Sequence, residues 1–379
     1  MNQEVLIIGG GVIGLSIARE LHRKGVRQIT IVDRGTMGRE ASWAAAGMLA
    51  PNIETDTHPE FHRFGIESLE LYPGFSEALL EETGIDIELD RTGTLFLAFD
   101  ETEESAVDET FTLQRSRGVN VELLTGTKVR ELEPMISHAA GPALLYPDDW
   151  QVENRLLVDA LIGYAERNGI RIVENTEVVS LLSDGIKVIG ASTIERDVLA
   201  GVTIIATGAW TSLIKIRDVA LPVDVRPIRG QMISFQVQPK VLRHVVNSTA
   251  GYLVPRADGR ILVGATVEDV GFENAVTQEG LESLVMTAIG ILPDVIPPLR
   301  VSERWSGLRP FAPDGLPVIG TIPGFENLIV ATAHYRNGIL LAPKTAEIIA
   351  EKIIDQTESP VFKLCGVERF SEARATVNR

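Results

Sequence analysis

Val5-Leu6-Ile7-Ile8-Gly9-Gly10-Gly11-Val12-Ile13-Gly14, near the start of the chain, decides the fold. The four apolar residues form a continuous run, which reads as a buried strand. Gly9, Gly11 and Gly14 then satisfy G-x-G-x-x-G between that strand and a helix-period segment with Val12, Leu15, Ala18 and Leu21 on one face. The helical pattern stops at Gly25, and a second apolar strand, Ile29-Thr30-Ile31-Val32, ends in Asp33. The first glycine permits the tight turn, the second lets backbone approach a pyrophosphate, and the third lets helix and strand pack closely. The helix start, with Val12 and Ile13 in its first turn, offers free N–H groups and a partial positive charge. Asp33 falls where a carboxylate accepts hydrogen bonds from a ribose hydroxyl. The chain is expected to bind a dinucleotide here. NAD and FAD share the adenosine half, so Asp33 does not separate them.

Composition narrows the class. At 379 residues the chain is long enough for two intimately joined units or one large one. A net charge of −17 argues against nucleic-acid binding, which needs clustered Lys and Arg. Cys365 is the only cysteine, so an intramolecular disulfide and thiolate metal clusters are excluded, and no metal is expected. This fits a reducing cytoplasm, the expected location. The apolar start lacks a basic n-region and is broken by glycines, so it reads as a nucleotide-binding strand rather than a signal peptide. No run of ~20 apolar residues is present to span a bilayer.

Helical periodicity recurs over about 59–83, 154–168, 278–291 and 343–354, with strand-like runs over about 94–99, 170–173, 202–205, 231–237, 251–255 and 261–263. Asp258-Gly259 between the last two runs predicts a β-hairpin. Pro343 suits the first residue of a helix, where its missing N–H would be unpaired anyway. The early alternation of strand and helix, and the strand-rich stretch over about 220–270, predict an α/β chain. Its parts are a Rossmann-like nucleotide-binding domain and an inserted antiparallel-sheet, α+β, substrate domain. Residues 1–85, 146–222 and 308–379 are assigned to the first, and 86–145 and 223–307 to the second. Leu221-Pro222-Val223-Asp224-Val225-Arg226-Pro227 is the expected crossing between them.

Three further segments bear on the ligand. The strand Val202-Thr203-Ile204-Ile205 and its turn Ala206-Thr207-Gly208-Ala209-Trp210 can place backbone beside a nucleotide at the carboxyl edge of the sheet. Ala41-Ser42-Trp43-Ala44-Ala45-Ala46-Gly47-Met48 supplies the small side chains that a helix packed against a flat ring or a diphosphate needs. Ala331-Thr332-Ala333-His334-Tyr335-Arg336-Asn337-Gly338-Ile339-Leu340-Leu341-Ala342-Pro343 leads into the last helix, whose start would favour negative charge on a bound ring.

Ala44-Ala45-Ala46-Gly47-Met48, Tyr252-Leu253-Val254-Pro255-Arg256, Gly264-Ala265-Thr266, Gly307-Leu308-Arg309-Pro310 and the Arg336–Pro343 run carry a resemblance. The chain resembles flavin-dependent amine oxidases of the D-amino-acid oxidase and sarcosine oxidase superfamily, and within it the bacterial glycine oxidases of the thiamine-biosynthesis type. The likeness extends from the fingerprint to about residue 350. It implies FAD held non-covalently, because Cys365 lies well beyond the flavin segment through which sarcosine oxidases attach theirs. It also implies oxidation of glycine, O2 as acceptor with hydrogen peroxide as product, and glycine imine for the thiazole of thiamine. A small amino acid and O2 are then the expected partners, in a homo-oligomer that binds neither nucleic acid nor membrane.

Fingerprint and resemblance together put the flavin against Gly9, Gly11, Val12, Ile13, Gly14, Asp33, Arg34, Ser42, Ala45, Ala46, Gly47, Met48, Val178, Thr207, Gly208 and Trp210. They add the run Arg336-Asn337-Gly338-Ile339-Leu340. Glycine offers only a carboxylate and an amine. Its site needs a fixed cation and little room, and Arg309 is the expected cation because a guanidinium grips a carboxylate with two parallel hydrogen bonds. Tyr252 is expected to add a hydroxyl, and Arg336 to hold the site entrance or the flavin. Met48 and Val267 are expected in the substrate pocket, with Val267 standing where the compared glycine oxidase has methionine. That shorter side chain would admit sarcosine, N-ethylglycine or D-alanine more readily. The implied chemistry is hydride transfer from the substrate Cα to the flavin, with the enzyme supplying orientation and electrostatics. His334 has no visible partner and is not assigned as a base. Two rivals stay open: a D-amino-acid dehydrogenase passing electrons to a quinone, and a non-catalytic flavin-binding protein.

Overall fold

The computed structural model describes residues 4–54 and 58–370. Glu4–Ile8 lies between two parallel neighbours, Gln28–Val32 and Val202–Ile205. Arg171–Val173 extends one edge in parallel, Phe325–Thr332 extends the other, and Val318–Ile322 adds an antiparallel edge strand. Alternate side chains serve opposite faces of a strand. Val5, Ile7, Ile29 and Ile31 pack with the helices Val12–Arg23, Pro59–Thr83, Asn154–Arg167 and Gly338–Ile354. Leu6, Ile8 and Val32 pack with a smaller five-stranded sheet that includes Val178–Ser183 and Val188–Thr193.

A third sheet has eight strands, in the spatial order Val301–Phe311, Arg226–Gln236, Arg260–Gly264, Gly251–Pro255, Val245–Ser248, Thr94–Leu97, Ala143–Tyr146 and Glu122–Leu124. The Asp258-Gly259 hairpin forms as expected, pairing Tyr252 with Gly264 and Pro255 with Ile261. Helix Gln278–Ile291 lays Leu284, Ala288 and Ile291 against Ile233, Leu253 and Val263 of this sheet. No helix of the described residues is long and apolar enough to cross a membrane.

Four features differ from the sequence reading. The helices Glu101–Ser116 and Gly126–Leu132 carry too few apolar residues to stand out by period. The first is started by Asp100, whose carboxylate accepts the N–H groups of Thr102 and Glu103. The small-residue run is helical only over Ala41–Ala44; Ala45 is extended and Met48 pairs as a strand with Gln151. The expected crossing is shorter, since Arg226 and Pro227 already belong to a strand.

Pro343, expected to begin the last helix, lies inside Gly338–Ile354. A proline there removes the hydrogen bond to the carbonyl four residues back, that of Ile339. Tyr72 supplies the missing donor: its buried hydroxyl donates to Ile339 O at 2.5 Å, and Ser68 Oγ donates to Leu340 O at 2.6 Å. Tyr72→Phe should therefore cost about 1–3 kcal/mol of stability, the usual penalty for a buried group left unpaired. Denaturant unfolding checks this, and an unchanged midpoint would mean that the carbonyl has found another donor.

Candidate active site

Two of the fingerprint glycines, Gly9 and Gly14, are required by space, and Gly9 by its backbone conformation as well. A Cβ on Gly9, whose φ is +107°, would stand 2.3 Å from the carbonyl oxygen of Ala206, and one on Gly14 would stand 2.0 Å from Gly9 O. The first helix turn has no side-chain cap on Gly11, and Ser42 Oγ accepts the Val12 N–H at 2.9 Å. Asp33 accepts from Gly10 N–H at 2.7 Å and from Gly35 N–H at 2.8 Å. Burial pushes its carboxyl above the ordinary range despite these two bonds.

A cavity of about 450 Å³ follows this edge of the sheet. Gly9, Gly11, Val12, Ile13, Asp33, Arg34, Ser42, Ala45, Val178, Thr207, Gly208, Trp210, Arg336, Gly338 and Ile339 all line it. At its outer end Arg34 pairs with Glu40 at 2.7 Å and stacks 3.6 Å over the Trp210 ring. Gly338 and Ile339, at the start of helix Gly338–Ile354, also line it, and that helix has no side-chain cap. Two helix starts with N–H groups not capped by their own N-cap residues, a glycine floor and a carboxylate suit a dinucleotide with a planar ring. Cys365 is fully buried and does not line this cavity, and burial pushes its thiol up to about 12, so it is poorly placed and poorly suited to hold a flavin covalently.

A second cavity, about 470 Å³, adjoins the first. Ala41, Ala45, Tyr335, Arg336 and Ile339 line both. Ala46, Gly47, Met48, Tyr252, Val267 and Arg309 line the second alone. Arg309 is half-buried on strand Val301–Phe311, and its Nη1 donates to Thr266 O at 3.1 Å. Among the described residues it makes no ion pair, so a half-buried guanidinium faces a chamber without a carboxylate of its own. The backbone of Gly230 makes room for it: a Cβ there would fall 2.1 Å from Arg309 Nη1. Tyr252 is buried against Met232, with its ring over Gly264. Val267, 62% exposed, stands at the rim.

Gly230→Ala isolates the placement of that guanidinium. The three atoms nearest the new methyl group all belong to the Arg309 guanidinium, the far end of a flexible side chain, so the fold should keep its melting temperature. Displacing a binding group by about an ångström should lower kcat/KM for glycine roughly 10- to 100-fold. Steady-state kinetics beside a thermal melt tests both halves.

Some expected residues lie elsewhere. Gly14 packs against Gly9 beneath the first cavity, and Leu340 is buried in the helical core. Asn337 precedes the last helix without capping it by its side chain. His334 lines the first cavity, is buried, and bonds to Thr345 Oγ1 at 3.1 Å. Burial lowers its pKa to about 3, so it is neutral and poorly suited to act as a base at neutral pH. Arg256 was not assigned a role by sequence. It is buried and donates to Ala46 O, Val152 O, Gln151 Oε1 and Asn154 Oδ1, all between 2.8 and 3.0 Å, tying the small-residue loop to the eight-stranded sheet. Its place in Tyr252-Leu253-Val254-Pro255-Arg256 was visible; partners more than a hundred residues away were not.

A dinucleotide cleft sharing a wall with a separate chamber that presents a guanidinium is the arrangement of a dinucleotide-dependent oxidoreductase. The chain belongs to the FAD dependent oxidoreductase family, whose pattern matches residues 4–352. FAD is accordingly its dinucleotide. It is 35% identical to a glycine oxidase of Pseudomonas aeruginosa, over 93% of this chain and 94% of that one. It is also 35% identical to the bifunctional protein ThiO/ThiG of Trichormus variabilis, over 99% of this chain and 56% of that longer protein. The crystal structure of glycine oxidase from Geobacillus kaustophilus superposes with a TM-score of 0.89 at 35% identity, covering 94% of this chain and 96% of that one.

Proposed function

We propose that this FAD-dependent enzyme oxidises glycine, converting glycine, water and O2 to glyoxylate, ammonia and hydrogen peroxide. The observation that carries the reading is the Arg309 guanidinium, unpaired by any described carboxylate, facing a chamber that shares a wall with the cofactor cavity. The relatives named glycine oxidases support the choice of substrate.

Arg309 would hold the substrate carboxylate by its free N–H edge, with the Tyr252 hydroxyl beside it. Met48, Met232 and Gly251 line the chamber beside Tyr252, and with Val267 at the rim its volume of about 470 Å³ would admit an N-alkyl group or a small side chain as well as glycine. The substrate amine and Cα are then turned toward the shared wall of Ala45, Tyr335, Arg336 and Ile339. When bound, the flavin supplies a two-electron acceptor for oxidation of the Cα–N bond. With His334 neutral and hydrogen-bonded away, the residues orient the substrate and exclude water rather than provide a dedicated base.

The reading extends to supply of the imine product for thiamine thiazole synthesis, supported by the relatives in which such a domain is fused to ThiG. It includes the division of the chain given above into FAD-binding and substrate-binding parts, and a cytoplasmic homo-oligomer, which sedimentation would test. Mixing the yellow protein anaerobically with glycine should bleach it, and admitting air should restore the colour with stoichiometric peroxide. No bleaching with glycine, sarcosine or D-alanine would overturn the reading. Slow recovery in air beside fast recovery with a quinone would make the protein a dehydrogenase.

A further inference from the structure

The segment that follows strand Arg260–Gly264 pairs irregularly with strand Arg226–Gln236. Gln231 N–H donates to the side-chain oxygen of Thr266, at 2.9 Å, rather than to a backbone carbonyl. The Thr266 N–H reaches Gln231 O only at 3.4 Å. With its hydroxyl serving in the ladder, Thr266 has its carbonyl free, and that carbonyl accepts from Arg309 Nη1. Two residues further on, Arg229 and Glu268 exchange backbone bonds of 2.8 and 3.0 Å, and regular pairing resumes.

On the other face of the same strand a buried polar cluster fixes this irregularity. Gly230 faces the Arg309 guanidinium, so its neighbours Arg229 and Gln231 point the opposite way. Arg229 Nε donates to Glu268 Oε2 at 2.8 Å, its Nη2 bonds to the same oxygen, and Gln231 Nε2 donates to Glu268 Oε1 at 2.7 Å. Thr277 N–H donates to Gln231 Oε1 at 2.7 Å, which joins the cluster to the start of helix Gln278–Ile291. Arg229 is 4% exposed and Gln231 fully buried, so neither can reach a ligand. Desolvation pushes the Glu268 carboxyl upward, but bonds from Thr266, Arg229 and Gln231 outweigh it and hold the group below its ordinary range.

We propose that Glu268, with Arg229 and Gln231, is a positioning group for substrate binding: it pins Thr266 so that the Thr266 carbonyl fixes one arm of Arg309 and leaves the rest of the guanidinium fork aimed into the chamber. The same pinning sets Val267 at the rim. A guanidinium already restrained loses less freedom when it grips a carboxylate, so the gain appears in substrate affinity. The inference rests on Arg309 being the carboxylate anchor.

Glu268→Gln and Thr266→Val test it in the flavin-replete enzyme, the second removing only one hydroxyl in a side chain of the same shape. The readouts are glycine KM and kcat, and the affinity for glycolate, a carboxylate without the amine, followed by its perturbation of the flavin spectrum. Each variant should raise glycine KM and weaken glycolate about tenfold while kcat stays within roughly twofold, the pattern of lost binding alone. Glycolate affinity within about twofold of wild type in a folded Thr266→Val enzyme would overturn the proposal, whether or not Glu268→Gln folds. Arg309→Lys separates the two levels. If it too leaves glycolate affinity intact, the anchor reading has failed; if it alone weakens glycolate, only the positioning role has.

Discussion

Arg309→Ala is expected to weaken glycine by ~2–5 kcal/mol, the cost of removing one partner of a charge pair that becomes buried on binding. The corresponding rise in KM is roughly thirtyfold to several thousandfold. Flavin content should be unaffected, because Arg309 lines the second cavity and not the first. Arg309→Lys should recover only part of the loss, since an ammonium keeps the charge but not the planar fork. The glycine dependence of anaerobic bleaching measures this without interference from oxygen. Near-normal affinity in the alanine variant would move the anchor to another residue, with Arg336 on the shared wall the next to replace.

Gly9→Ala should have the second large effect, and on the cofactor rather than on the substrate. Its φ of +107° is costly for any other residue, and the added methyl would collide with the Ala206 backbone at 2.3 Å. Strain in such a region costs about 1–3 kcal/mol by itself. The collision adds to it, because backbone cannot swing aside as a side chain can. The strands Glu4–Ile8 and Val202–Ile205, whose ends meet there, must separate or the cavity floor must rise. The variant should purify colourless, or bind added FAD more than about tenfold less tightly. Gly25→Ala is the control: its φ is +97°, but nothing lies within 4 Å of the new methyl, so it carries strain without collision. Equal flavin loss in both variants would assign the effect to stability rather than to the cleft.

The nucleotide fold was legible because its signals are local. Strand, glycines, helix and Asp33 fall within one short stretch, and each constrains the next. The Asp258-Gly259 hairpin was legible for the same reason. Pro343 shows where local reading fails: the helix continues through it because Tyr72, on another helix, donates to the carbonyl that proline orphans. Helix Glu101–Ser116 was missed because only Val107 and Gln114 of its residues are buried, which leaves little period to see. Around the second cavity, the resemblance drew attention to Arg309, Tyr252 and Met48. Arg256 and the Glu268 cluster depend on partners that sequence distance conceals.

The two cavities share one wall but reach exposed residues at different places, Arg34 in the lining of the first and Thr249 and Val267 in that of the second. Small molecules that enter the second chamber need not pass through the first. A resident cofactor need not be disturbed by the traffic it serves, and the rates of the two exchanges can be tuned separately. Substitutions at Val267 should alter how fast products depart, and those at Trp210 how long the flavin stays.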